Sequence, residues 1–186
     1  MAEQAAHKEK DALGVFLKEN LGLELSEAKT LVTPVTQPMR FLGHHIRVRR
    51  HPSHHRMVSA SIIPKPRSQL LRERIKQMFD KRSTQRTLDY QLSQLNPMIR
   101  GWANYYRHAW GAKKVFNSID HYVWWTIARW LKKKHRISLE RLGRRYAWSK
   151  PGGRSLRWQA GGIRVFELSS VTVEQYKMGW IDNYFV

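Results

Sequence analysis

Apolar residues recur at helical spacing over most of this chain, with a short β-rich stretch between the first two helical runs. In "KDALGVFLKENLGLELS", Leu13, Phe16, Leu17 and Leu21 predict a short helix that Gly22 ends. "KTLVTPV" and "MRFLGHHIRV" are β-branched and apolar and read as short strands. "RRHPSHHR", with Pro52 and Ser53, reads as a turn before "MVSASII", so a hairpin from Phe41 to Ile63 is expected. Pro64 and Pro66 make "PKPRS" a stiff linker. Ser68 is a candidate N-cap for "QLLRERIKQMFD", where Leu71, Ile75 and Met78 line one face and Gln69, Arg72 and Lys76 another. Leu88, Leu92 and Leu95 share a stripe, and Asn96-Pro97 then predicts the start of a new helix carrying "LNPMIRGWANYYRH". A further helix is expected from about Ser118 to His135, and a shorter one over "SLERLGRRYAW". "SKPGGRS" is a turn, and the tail to Val186 mixes strand-like runs with glycines. The fold class is α+β, predominantly α: a small β-hairpin followed by a helical bundle.

Charge changes this picture. The chain of 186 residues holds 34 Lys and Arg against 14 Asp and Glu, a formal net charge of +20. Residues 1–30 hold four Lys and six acids, so the rest carries +22. Self-repulsion on that scale opposes folding, and a polyanionic partner relieves it; nucleic acid is the commonest. The functional surface is therefore expected after Thr30. The absence of cysteine excludes disulfides, iron–sulfur clusters and Cys-based zinc sites, and fits a reducing compartment. No run approaches the roughly 18 apolar residues of a membrane span, and the N-terminus lacks a signal-peptide core. A cytoplasmic protein is expected, in a bacterium or an organelle.

The helical periodicity also sorts candidate contacts. In the "GWANYYRH" helix, Met98, Ile99, Trp102, Tyr105, Tyr106 and Ala109 fall on one broad side, with Trp102 and Tyr106 read as core. Arg100, Asn104 and Arg107 fall on the other side. Gly101 weakens a helix, and close approach by a neighbouring helix or by a phosphate explains it equally well. In the following helix, Ile119, Tyr122, Val123, Ile127 and Trp130 form the apolar stripe. Trp125, Arg129, Lys132 and Arg136 form a second stripe, at i, i+4, i+7 and i+11. Cations there neutralise phosphates and the indole stacks on an unpaired base; a Trp covering a neighbouring element is the competing reading. Between Arg129 and Arg157 there are eleven Lys or Arg and one acid, Glu140, which makes Lys133, Arg144 and Arg145 further phosphate candidates. His44, His45, His51, His54 and His55 crowd one stretch, but their neighbours are Arg47, Arg49, Arg50 and Arg56. A metal site is not expected in that positive field, and a basic hairpin facing phosphate is. The five Asp residues are scattered, there is no Gly-rich phosphate loop, and no catalytic residue or cofactor is named.

"LNPMIRGWANYYRH" closely resembles the signature of the maturase-specific domain, domain X, of group II intron-encoded proteins. "LGLELSEAKTLVTP" followed by "FLGHHIRV" is similar to the last blocks of the reverse-transcriptase palm in that family, and "PKPRSQLLRERIKQMF" to the start of its thumb. The resemblance runs from about Leu13 to at least Trp158. It implies three parts: residues 1–66 as the end of the palm, 67–94 as thumb-like helices and 95–186 as domain X. It also implies an RNA-directed DNA polymerase family whose carboxylate motifs would lie upstream of residue 1, so the isolated chain is not expected to polymerise. A C-terminal endonuclease domain with Cys ligands is not expected either. The implied role is to bind structured group II intron RNA, and secondarily DNA, and to stabilise the splicing-active fold. Arg72, Lys76, Arg100 and Arg107 would serve from the thumb and signature helix, and Trp125, Arg129, Lys132 and Arg136 from the later one. Two other readings stand beside it: part of a split or truncated reverse transcriptase that associates with an upstream fragment, or a remnant of a mobile element.

Overall fold

Ala, Gln, Glu and Lys, all good helix formers, fill the first turns of α1, which spans Ala2–Leu21 in the computed structural model. The helix therefore begins well before Lys10, where apolar spacing first marks it. Residues 2–34, 37–50, 55, 57–149 and 156–174 are described. Gly22 follows α1 with φ +64, and its N–H reaches the Lys18 carbonyl at 3.2 Å. Leu31–Pro34 form no strand, a departure from the expected "KTLVTPV" strand, whose Val35 lies outside the described residues. Pro34 has no N–H to give a ladder.

"MRFLGHHIRV" is two strands rather than one. β1 is Met39–Phe41 and β2 is His44–Arg50, antiparallel, with Phe41 opposite His44. The turn between them is Leu42-Gly43, with φ values of +44 and +73. Two positive φ angles in succession are the mark of the tight hairpin turn that matches strand twist. Gly43 adopts this freely; Leu42 is strained by roughly 1–2 kcal/mol. β3, Met57–Ile62, completes a sheet of order β1-β2-β3, so the hairpin expected from Phe41 to Ile63 forms.

α2 spans Lys65–Met78, with Pro64 as its N-cap. The "PKPRS" segment is thus the first helical turn rather than a linker. Proline is tolerated there because the first N–H groups have no intrahelical acceptor. Ser68 is not the cap; its hydroxyl donates to the Lys65 carbonyl at 2.9 Å. After α2, Asp80 caps a short 3-10 turn at Arg82–Gln85, accepting from the Ser83 N–H at 2.8 Å.

α3 runs unbroken from Leu88 to Tyr106, with Pro97 inside it. The helix boundary expected at Asn96-Pro97 is not there. Asn96 instead grips the C-terminal segment: its amide donates to the Arg164 carbonyl (2.7 Å) and accepts from the Phe166 N–H (2.8 Å). Tertiary contact along the buried stripe Leu88, Leu92, Leu95, Ile99 and Ala103 outweighs the one backbone bond that Pro97 cannot make. α4, Ala112–His135, begins six residues before Ser118, after Gly111 with φ +72. Ala112 and Phe116 are buried in that added turn and a half.

α5, Leu139–Tyr146, is capped by Ser138 and gives way at Ala147 to β4, Ala147–Ser149. β4 pairs antiparallel with β5, Leu156–Ala160, and β5 with β6, Ile163–Arg164. The strand-like tail thus forms a second small sheet. Residues 150–155, most of the predicted "SKPGGRS" turn, lie outside the described residues, as do 175–186 of the tail.

Two compact units result: Met1–Pro38 with Arg47–Val58, and Met39–Ile46 with Ser59–Val186. In the smaller, a Cβ on Gly14 would lie 3.5 Å from Leu25, so the loop after α1 returns against the helix. The larger holds the core. Leu71 and Ile75 of α2, the α3 stripe, Ile119, Val123, Ile127 and Leu131 of α4, Leu142 of α5 and Trp158 of β5 are all buried in it. Two of its buried polar side chains are paired: Gln91 donates to the Met78 carbonyl at 2.9 Å, and Trp130 donates to Ser83 Oγ at 2.9 Å; Arg72 Nε is buried without a hydrogen-bond partner among the described residues. The described residues contain five α-helices and two three-stranded sheets, an α+β fold that is predominantly α. No helix among them is long and apolar enough to cross a membrane.

Candidate nucleic-acid interface

One face of α4 carries Lys114, Ser118, His121, Trp125, Arg129 and Lys132, because steps of three, four and seven residues return to the same side of a helix. The apolar stripe of α4 faces the core, so this face points away from it. Trp125 is 40% exposed. Its indole N–H donates to His121 Nε2 at 3.0 Å, and its ring meets the edge of Trp124 with centroids 4.8 Å apart. Trp124 is itself held: its N–H donates to the Leu156 carbonyl (2.9 Å), and its carbonyl accepts from Trp158 (3.0 Å). Trp125 is thus an exposed ring standing on a rigid base.

The cations beside it differ in freedom. Arg129 Nε donates to the Trp125 carbonyl at 3.1 Å, which steers the guanidinium along the helix. Lys132 and Lys133 are exposed. Lys134 turns the other way, donating to the carbonyls of Thr84 and Arg86 at 2.6 Å each and lying over Trp130. Arg136 ends the helix in a left-handed conformation, φ +54, with its N–H on the Lys132 carbonyl. Beside it, His135 stacks on Tyr146, with ring centroids 5.3 Å apart. Burial first, then the Arg145 and Lys134 charges, pushes the His135 pKa below its ordinary 6.5.

The remaining sequence candidates lie elsewhere. Arg144 pairs with Glu140 at 2.6 Å, both well exposed, and Arg145 sits over Tyr146. Such an exposed pair competes only weakly with a phosphate. Arg72 reaches from α2 to α4, donating to Ser118 Oγ at 2.8 Å and lying over Tyr122, so it ties two helices together. Lys76, one turn further along α2, is exposed. Arg100 lies over Phe166 at 4.9 Å, and Arg107 donates to His108 Nε2 at 2.9 Å; Asn104 is exposed.

The histidine cluster divides. His44 turns toward the signature helix, packed on Tyr105 and Tyr106 (5.3 and 4.9 Å) with Nδ1 2.8 Å from Ser61 Oγ. Burial lowers its pKa below 6.5. His45 sits opposite Arg40 in the hairpin, while His51, His54 and Arg56 lie outside the described residues. Asp120 serves structure, accepting from the Leu168 and Ser169 N–H groups at 2.8 and 2.9 Å. Among the described residues no three His, Asp or Glu side chains gather as metal ligands would.

Periodicity counted forward from Trp125 misses Lys114 and His121; the same spacing counted backward finds both. It also misses a second basic place. Arg67, Leu70 and Arg74 of α2 face Pro97, Met98, Gly101, Trp102 and Tyr105 of α3 across a groove of about 440 Å³. Tyr106 closes its end, buried as expected, with its pKa raised by that burial; Trp102 is half-buried.

Residues 68–148, which contain the signature helix and the α4 face, match the family model of the group II intron maturase-specific domain. This stretch of the chain is therefore similar to the maturase-specific domain of group II introns. Two relatives share a shorter stretch: the group II intron-encoded protein LtrA of Lactococcus lactis subsp. cremoris and of its strain MG1363. Each is 56% identical over 41 residues, which is 22% of this chain and 7% of the relative.

Proposed function

We propose that this protein binds structured group II intron RNA through the exposed face of α4 and assists the RNA to reach its splicing-active fold. The single observation that carries the reading is Trp125, an exposed indole braced from behind and aligned with Lys114, Arg129 and Lys132 on a face without an acidic residue. A core tryptophan has no need of that setting. An unpaired base stacks on the open ring while the flanking cations take the phosphates on either side. The RNA does the chemistry, and the protein lowers the free energy of the productive RNA conformation by binding it preferentially. Domain X, from residue 95, supplies this face, and the thumb-like helices of 67–94 buttress it through the Arg72–Ser118 bond.

The test is binding of the full chain to a group II intron RNA across a salt series, together with the rate of intron splicing. A plot of log affinity against log salt should fall with a slope of several, about 0.7–0.9 per phosphate neutralised. Splicing at low magnesium should accelerate. Binding that ignores salt would remove the phosphate reading. The chain alone should not extend a primer on an RNA template; extension would mean that a polymerase site is present.

A further inference from the structure

Gly101 sits in the middle of α3 where alanine would make a better helix. Nothing in the larger unit demands the glycine. It is exposed, its φ is not left-handed, and a Cβ built on it meets no atom within 4 Å among the described residues. Of the two explanations for such a residue, close approach by a neighbouring helix is thereby removed. Approach by something outside the chain remains.

What surrounds Gly101 says what that is. It opens into the groove of about 440 Å³ between α2 and α3. Arg67 and Arg74, one and the same side of α2 at i and i+7, rim the groove, and both are exposed. No lining residue is acidic, and among the described residues neither arginine is paired with a carboxylate. The α3 wall offers Trp102 and the 52%-exposed ring of Tyr105. Both are held from behind. Trp102 packs on Tyr106 (4.6 Å) and Phe116 (6.0 Å), and the Tyr105 hydroxyl is tethered to the Leu42 carbonyl.

We propose that this groove is a second RNA site, taking one or two unpaired nucleotides. A base lies against Trp102 and Tyr105, and its phosphate runs over Gly101 between Arg67 and Arg74. Aromatic faces with cations and no hydrogen-bonding edge readers suit single-stranded RNA of any sequence, whereas a peptide partner would need acidic groups for the two arginines and apolar anchors for a groove whose rim is charged. The site lies on α2 and α3, apart from the α4 face, and rests on the RNA-binding reading in general but not on that face.

Gly101→Ala separates the site from a structural role, because the two predict opposite signs. Helix propensity makes the variant more stable, raising the melting temperature by about 2–4 °C. The added methyl stands where the phosphate passes, so affinity of the full chain for a fluorescent oligouridylate should fall roughly tenfold, on the scale of one lost base stack. Arg67→Gln with Arg74→Gln should lower the salt slope for the same probe by about 1.4, at 0.7 per phosphate on single strands. A stabilised Gly101→Ala that binds oligouridylate as tightly as wild type overturns the groove. So does an unchanged slope in the arginine pair, which holds even if the glycine variant fails to fold. A wild-type chain that binds neither oligouridylate nor intron RNA overturns the RNA reading as a whole. Tight intron RNA binding by the wild type with no oligouridylate binding overturns the groove alone.

Discussion

Helices α3 and α4 carry the same kind of pattern: an apolar stripe toward the core and polar or cationic residues at i, i+4 and i+7 on the other side. Their fates differ. On α3, Arg100 is laid over Phe166 and Arg107 is bonded to His108. On α4, Lys132 and Lys133 stand exposed beside a braced Trp125, and Lys134, which folds inward, is off the stripe. Periodicity tells which way a side chain points. It does not tell whether another segment comes back to cover it. For α3 one does: the chain after β6 crosses its face, held there by Asn96.

The largest effect is expected from reversing the α4 face. Arg129→Glu, Lys132→Glu and Arg136→Glu together should weaken intron RNA binding at least a hundredfold at low salt and flatten the salt slope by about 2–3, with an unchanged melt. Reversing Arg100 and Arg107 should do much less to binding; equal losses would erase the distinction between the two helices. Next comes Asn96→Ala. It strands the Phe166 N–H and frees the segment from α3, so unfolding free energy should drop by about 1–3 kcal/mol while RNA affinity well below the melt stays within twofold. Trp125→Ala should lose about 1–2 kcal/mol of binding and little stability, whereas Trp125→Phe retains most of the affinity; a melt that falls with the binding would mark the indole as packing. Arg100→Ala should cost about 0.5–1 kcal/mol of stability through its contact with Phe166, read by denaturant unfolding.

The smallest effect concerns acid. His44 and His135 both have pKa values lowered by burial below 6.5, so between that value and their folded values the unfolded chain binds more protons. Stability is then complete above pH 6.5 and declines as pH falls beneath it. His44→Gln should flatten the decline from the hairpin side and His135→Gln from the α4 side, and equilibrium unfolding at pH 5.5 and 7.5 measures each.

Much of this was legible in the sequence. Leu88, Leu92 and Leu95 were readable as buried, and so were Ile119, Val123 and Ile127, because the core selects the 3.6-residue repeat directly. The hairpin and the predominantly α class follow from the same pattern. What failed were punctuation marks. Asn96-Pro97 has the form of a helix start, yet a helix held along its whole buried side tolerates the proline. Leu42-Gly43 has a poor turn sequence, yet two tyrosines far along the chain stabilise it. The groove around Gly101 was invisible for a different reason: it exists only when α2 and α3 lie side by side. The sequence flagged the glycine as unusual; only the structure shows the empty space above it.

Those two tyrosines impose an order of events on synthesis. The Leu42-Gly43 turn is held by the hydroxyls of Tyr105 and Tyr106, each 63 residues further on in one of the two bonds. At about 5–20 residues per second, a ribosome makes the turn roughly 3–13 s before it makes the anchors. Throughout that interval the strained leucine turn stands without the two bonds that hold it in the finished fold. A nascent chain in this state has its first hairpin without its tertiary anchors, and a strand edge that is not held in place is one that joins a neighbouring chain.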